Sequence, residues 1–226
     1  MGRSFKTWLA SLVLVLASAS CYAQGWTEGK NYYRIDTPQR TNVAPGKVEV
    51  MEVFSYACPA CNAFHGIMDQ LTRSLPPNAQ VVYLPASFVP AEDWPVFQRG
   101  WFAADALGVA AKTHEAMFEA VWTTGELAVT DPTTHRLKSP LPSIEDVARF
   151  YQRTAGVPTD KFVAMAKSFT VDARMKQADA QIIAMGALST PTLIVNGKYR
   201  IDSNSAGGYD RLVQLVKYLV AQESHK

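Results

Sequence analysis

The apolar positions of this chain change period along its length, and the changes mark out its elements. Residues 47–56 carry a β-branched, alternating run (Val48, Val50, Val53, Phe54) that predicts a buried strand. Directly after it, Phe64, Ile67, Met68 and Leu71 fall on one face of a helical wheel, predicting a helix from Cys58 to about Ser74, closed by Leu75-Pro76-Pro77. A first short strand is expected at residues 31–35 and a further one at 79–84, which makes a β-α-β unit of about forty residues. From Trp94 to about Gly186 the period becomes helical, with helices expected at 96–111, 113–122, 144–154, 159–168 and 171–185. Ser143 before Glu145 and Asp146 reads as a helix start, as does Thr159 as an N-cap after Gly156-Val157-Pro158. Trp101, Phe102, Phe118, Trp122, Phe150 and Phe162 have the spacing of a helical core, and residues 123–142 form a polar, Pro-containing connection. Strands return at 192–195 and 198–201 around the hairpin signal Asn196-Gly197, and a last helix follows at about 208–221.

The N-terminus has a different layout. Arg3 and Lys6 precede an apolar run from Trp8 to Ala17, then small residues, which is the order of a secretory signal. Its roughly ten apolar residues fall short of the about twenty that a membrane span needs. Cleavage is expected after Ala23, giving a signal peptide at 1–23, with lipidation of Cys21 as a minor alternative. Removal of that segment changes the picture in two ways. It leaves 20 basic against 20 acidic residues, so nothing points to nucleic acid or an anionic membrane as partner. It also leaves Cys58 and Cys61 as the last two of three cysteines, so the fold must be held by burial and not by disulfides.

Those two cysteines sit at a strand-to-helix junction, as Cys58-Pro59-Ala60-Cys61. A thiol at a helix start meets unpaired backbone N–H groups and the positive end of the helix dipole, both of which favour the thiolate. Pro59 suits such a start because its missing N–H is one that the helix leaves unpaired anyway. Cys58 is therefore the expected nucleophile, and Cys61, one turn further in, the resolving thiol. Two blander readings stand beside this. A structural Cys58–Cys61 disulfide would close so short a loop that it is worth about 2 kcal/mol, against about 3 for a fifteen-residue loop. A zinc site using Cys58, Cys61 and His65 lacks the second cysteine pair that structural zinc usually takes.

Two segments, Phe54-Ser55-Tyr56-Ala57-Cys58-Pro59-Ala60-Cys61 with Glu52 upstream, and Ser189-Thr190-Pro191-Thr192-Leu193-Ile194-Val195-Asn196-Gly197, resemble DsbA-type periplasmic thiol–disulfide oxidoreductases of the thioredoxin superfamily. The resemblance implies an α/β fold, a mixed central sheet flanked by helices with an inserted all-helical domain. On that reading residues 24–90 and 187–226 form the thioredoxin-like domain and 91–186 the helical insertion. It also implies that Pro191 is a cis-proline facing the redox pair, in keeping with the near confinement of cis bonds to X-Pro. Thr190 would tune the site and offer its backbone to an extended substrate segment. An ordinary trans proline opening an edge strand is the alternative. Glu52 would lie buried beneath the cysteines and trade protons with Cys61, unless it faces solvent at the strand end.

The chain departs from the family pattern in two places. The family often sets a lysine on the neighbouring strand against this acid, and the expected match here is Val82. Strongly oxidising members commonly carry Pro-His between the cysteines, where this chain has Pro59-Ala60. The potential is therefore expected between thioredoxin's about −270 mV and the about −120 mV of the most oxidising relative. The resemblance implies a periplasmic, monomeric enzyme that passes the Cys58–Cys61 disulfide to reduced or unfolded secreted proteins. It needs no cofactor or metal, and a DsbB-like quinone-linked membrane protein reoxidises it. A disulfide isomerase or reductase, or a thioredoxin-fold chaperone or binding protein, are the alternatives.

Overall fold

The computed structural model describes residues 25–224; the expected signal peptide and Cys21 lie outside them. Five strands form one sheet in the order β1-β5-β4-β2-β3, with β1 at Tyr33–Arg34, β2 at Val48–Phe54, β3 at Ala79–Pro85, β4 at Thr192–Val195 and β5 at Tyr199–Asp202. β2 runs parallel to β3 and antiparallel to β4, while β5 is antiparallel to β4 and β1. The sheet is therefore mixed. The connection from β2 to β3 is helix α1 (Pro59–Ser74), and α2 (Trp94–Ala106), α3 (Ala110–Trp122), α4 (Ile144–Ala155), α5 (Thr159–Ala166) and α6 (Phe169–Ala184) all lie between β3 and β4. Helices α7 (Ser203–Ala206) and α8 (Tyr209–Ser224) close the described chain.

Every residue of β2 is buried, because both faces of this strand are covered. Val48 and Val50 pack with Phe64, Met68 and Leu71 of α1 and with Leu212, Leu215, Val216 and Leu219 of α8. Met51 and Val53 face the other way, into a core built largely from α2 to α6. Period-two alternation thus divides one strand between two cores. Burial of each such side chain is worth about 1.5–3 kcal/mol.

Helix ends follow local chemistry, with some departures from expectation. Ser143 and Asp146 form a reciprocal capping box on α4, and Gly156 ends that helix at φ 69°. Thr159 is not an N-cap. Pro158 holds that position, and the Thr159 hydroxyl instead donates to Gln152 at 2.7 Å. The single helix expected over 96–111 is broken, since α2 stops at Ala106 and Gly108 turns at φ 69° before α3 begins. β1 is only two residues long, and α7 was not expected from the sequence. Asp202 caps α7 by accepting from the Ser205 N–H, while Ser205 Oγ accepts from the Asp202 N–H, a four-residue signal too short to show a period. At the β4–β5 hairpin Asn196 and Gly197 have φ of 53° and 64°, the pair of positive values that a tight hairpin requires.

Candidate active site

The C-terminal ends of β2 and β3 and the start of β4 meet at one edge of the sheet, and the cysteines stand there. The buried strand ends at Phe54, and a turn from Ser55 to Cys58, closed by Cys58 N–H donating to Ser55 O at 3.2 Å, hands the chain to α1. Cys58 is the N-cap of that helix, with extended backbone, and Pro59 occupies its first turn. The two thiols differ sharply in surroundings. Cys58 retains 5% of its exposure and Cys61 none, because Cys61 sits on the inward face of α1.

Across the site, the Thr190–Pro191 peptide is cis. Thr190 is the immediate neighbour of the outer sulfur: its hydroxyl donates to Cys58 Sγ at 3.1 Å, and its carbonyl lies 3.6 Å from the same atom. The loop is held from within by Thr192, whose hydroxyl donates to Ser189 O at 2.8 Å, and from β5 by Arg200, which donates to Gly186 O.

These contacts separate the two thiols electrostatically. The Cys58 pKa is lowered from 9.0 to about 6. The leading cause is the hydrogen bond from the Cys61 thiol; burial opposes it, and the Thr190 hydroxyl and the backbone N–H groups of Cys61 and Ala60 add to it. Cys61 is pushed the other way, well above its ordinary value, by burial first and then by its neighbour Cys58. One sulfur is thus suited to be a thiolate and leaving group near neutrality, and the other to hold its proton.

Glu52 is 2% exposed, and its carboxyl is pushed up to about 8 by burial and then by Cys58. It also lies within the field of Cys61. The strand register corrects one expectation. Glu52 pairs with Tyr83, while Val82 pairs with Met51. Directly paired residues share a face, so Val82 points into the opposite core and it is Tyr83 that stands beside Glu52. Counting along two strands without their register leaves a one-residue uncertainty, and one residue reverses the face.

Among the described residues no group of three His, Cys, Asp or Glu side chains could hold a metal ion. His65 faces α3: its ring stacks on Phe118 with centroids 4.8 Å apart, and Nδ1 lies 3.2 Å from Glu115. Tyr56, His114 and Trp122 were not expected at the site; Trp122 was expected only as helical core. Tyr56, in the turn before Cys58, is held through its hydroxyl by His114 Nδ1 at 2.8 Å and through its carbonyl by Trp122 Nε1 at 2.7 Å. The spacing of His114, Phe118 and Trp122 on α3 was the available signal, but it announces only a stripe, not what the stripe grips.

A family model described as thioredoxin matches residues 44–215. The thiol:disulfide interchange protein DsbA of Pseudomonas aeruginosa is 33% identical over 94% of this chain and 95% of its own length. That of Azotobacter vinelandii is 33% identical over 86% and 83%. Among solved structures, Pseudomonas aeruginosa DsbA superposes with a TM-score of 0.72 at 32% identity, over 89% of this chain and 96% of that one. The Xylella fastidiosa oxidoreductase DsbA gives 0.75 at 29% identity, over 88% and 97%. With the family model, the sequence relatives and the fold in agreement, this chain belongs to the DsbA-type thiol–disulfide oxidoreductases of the thioredoxin superfamily.

Proposed function

We propose that the protein introduces disulfides into exported proteins as they fold, and that Cys58 and Cys61 are the pair that does so. The observation that carries this reading is the asymmetry of the two thiols, one at about 6 and hydrogen-bonded by Thr190, the other buried and raised. In the oxidised enzyme a substrate thiolate attacks Cys58 Sγ. The Cys58–Cys61 bond breaks, and its electron pair leaves on the Cys61 sulfur, which takes up a proton. Glu52, whose buried carboxyl is biased toward its protonated form by desolvation, is positioned to supply it. A second substrate thiolate then attacks the substrate sulfur of the mixed disulfide and expels Cys58 as a thiolate. A low-pKa thiol is the better leaving group, so this step favours release of oxidised product. The substrate has lost two electrons and the enzyme holds them as a dithiol.

Thr190 and Pro191 form the wall opposite the pair, and Thr190 offers backbone to an extended substrate segment. Pro59 and Ala60 complete the helix start. The N-terminal pattern supports a periplasmic location, and the family supports a quinone-linked DsbB-type membrane protein as the reoxidant. The test is oxidation of a reduced, unfolded secreted protein by the disulfide form. Wild type should form product disulfides stoichiometrically, and Cys58→Ser should form none. Product formation by Cys58→Ser would refute the assignment.

A further inference from the structure

The turn that carries Cys58 is gripped by a helix outside the Cys-x-x-Cys segment. Tyr56 is the second residue of the Ser55–Cys58 turn, and it is 1% exposed. Its hydroxyl and its carbonyl both go to α3. Its hydroxyl meets His114 Nδ1 at 2.8 Å, and its carbonyl accepts from Trp122 Nε1 at 2.7 Å. His114, Phe118 and Trp122 are spaced four apart, so they form one stripe along the helix. The His114 ring stands in a cage of Phe54, Tyr56, Tyr83, Trp101 and Phe118, at centroid distances of 4.4 to 5.3 Å. Burial in that cage, and then the neighbouring His65, lower its pKa to about 3. The imidazole is therefore neutral at any ordinary pH, a fixed partner and not a switch.

The two contacts on Tyr56 are directional, which ordinary packing is not. A residue in a turn past the end of a strand has no ladder partner for its carbonyl, and a buried unpaired carbonyl is costly. Packing alone could be met by any large apolar side chain at positions 56 and 122. Two polar contacts converging on one turn residue, from the same helix, restrict where that turn sits. Its position decides how Cys58 Sγ meets the N–H groups of Ala60 and Cys61 and the Thr190 hydroxyl, the groups that favour the thiolate.

We propose that the His114–Phe118–Trp122 stripe of α3 is a positioning device, which through the hydroxyl and carbonyl of Tyr56 holds the Cys58 turn in register with the helix N-terminus and so raises the oxidising power of the pair. This rests on the reading of Cys58–Cys61 as the redox pair. Loss of either grip weakens thiolate stabilisation in the dithiol form and makes the disulfide relatively more stable. The conservative variants are Tyr56→Phe, which removes only the hydroxyl, and Trp122→Phe, which removes the indole N–H and keeps an aromatic ring.

The experiment measures the redox equilibrium of the mature protein with glutathione, the Cys58 pKa from ultraviolet thiolate absorbance, and stability in urea, for wild type, both variants, His114→Asn and His114→Leu. Each Phe variant should shift the equilibrium constant by about threefold to tenfold toward the disulfide form, tenfold being about 30 mV for two electrons. Each should also raise the Cys58 pKa. His114→Asn sets a polar atom near the Nδ1 position and should lie closer to wild type than His114→Leu. Loss of urea stability with an unchanged equilibrium constant and Cys58 pKa would mean that the stripe is ordinary core, and would overturn the proposal. Wild type showing no equilibrium with glutathione would overturn the redox pair itself, and the positioning role with it.

Discussion

Replacing Glu52 by Gln keeps the shape of the side chain and removes its ionisation, which makes it a clean probe of the buried acid. The carboxyl titrates at about 8 in the folded reduced protein against an ordinary 4.5. A raised folded pKa means that stability is fully present below pH 4.5 and is lost as the pH rises through about 8. In that window the unfolded chain is ionised freely, while the folded chain must either keep its proton or bury a charge. At about 1.4 kcal/mol per pH unit, wild type should lose roughly 3 to 4 kcal/mol between about pH 5 and 8 from this group alone. Cys58 acts with the opposite sign: its depressed pKa contributes stability that is present above 9.0 and lost as the pH falls through about 6. Because Cys58 helps raise the Glu52 pKa, the difference between wild type and Glu52→Gln reports the Glu52 titration together with its coupling to Cys58. A buried amide has its own cost, but that cost is independent of pH. Urea denaturation of both proteins under a reductant, at several pH values from about 5 to 8, should give stability curves that diverge by roughly 3 kcal/mol in favour of Gln as the pH rises. Parallel curves would refute a buried, elevated Glu52, whatever their offset.

Cys61→Ala removes the leading stabiliser of the Cys58 thiolate and should raise the Cys58 pKa above its value of about 6, read from the pH dependence of alkylation; an unchanged midpoint would show that Thr190 and the helix start suffice without the Cys61 thiol. Thr190→Val deletes the hydroxyl 3.1 Å from Cys58 Sγ and should raise the same pKa by about one unit, since a hydrogen bond to a charged group is worth about 1.5–3 kcal/mol before solvent screening. Gly197→Ala should lower the urea midpoint severely, because an added Cβ would stand 2.1 Å from the Gln39 carbonyl oxygen at a residue with φ 64°. Gly66→Ala, in mid-α1 with nothing near the added carbon, should instead stabilise by about 0.5–1 kcal/mol, and the contrast between these two glycines tests the backbone geometry directly.

Much of the fold was legible because its elements announce themselves locally. The alternation of Val48, Val50 and Val53 and the helical stripe of Phe64, Met68 and Leu71 are short-range patterns, and their elements lie close to where the patterns put them. Boundaries failed where one local signal competed with another. Pro158 took the cap position expected for Thr159, and Gly108 divided a run of helix formers. Cross-strand neighbours were less legible still, since the Glu52 partner turned on a register that no single strand encodes.

By itself the sequence determined the thiol pair, its place at a helix start, the acid six residues upstream and the Thr190-Pro191 segment, because each is a matter of residue type and spacing along one stretch of chain. Only the tertiary structure decided that Thr190 donates to Cys58, that Tyr83 and not Val82 stands beside Glu52, and that α3 grips Tyr56 at both ends. Those are contacts between residues 31 to 132 positions apart. Packing sets them, and packing is the one property that a local pattern cannot carry.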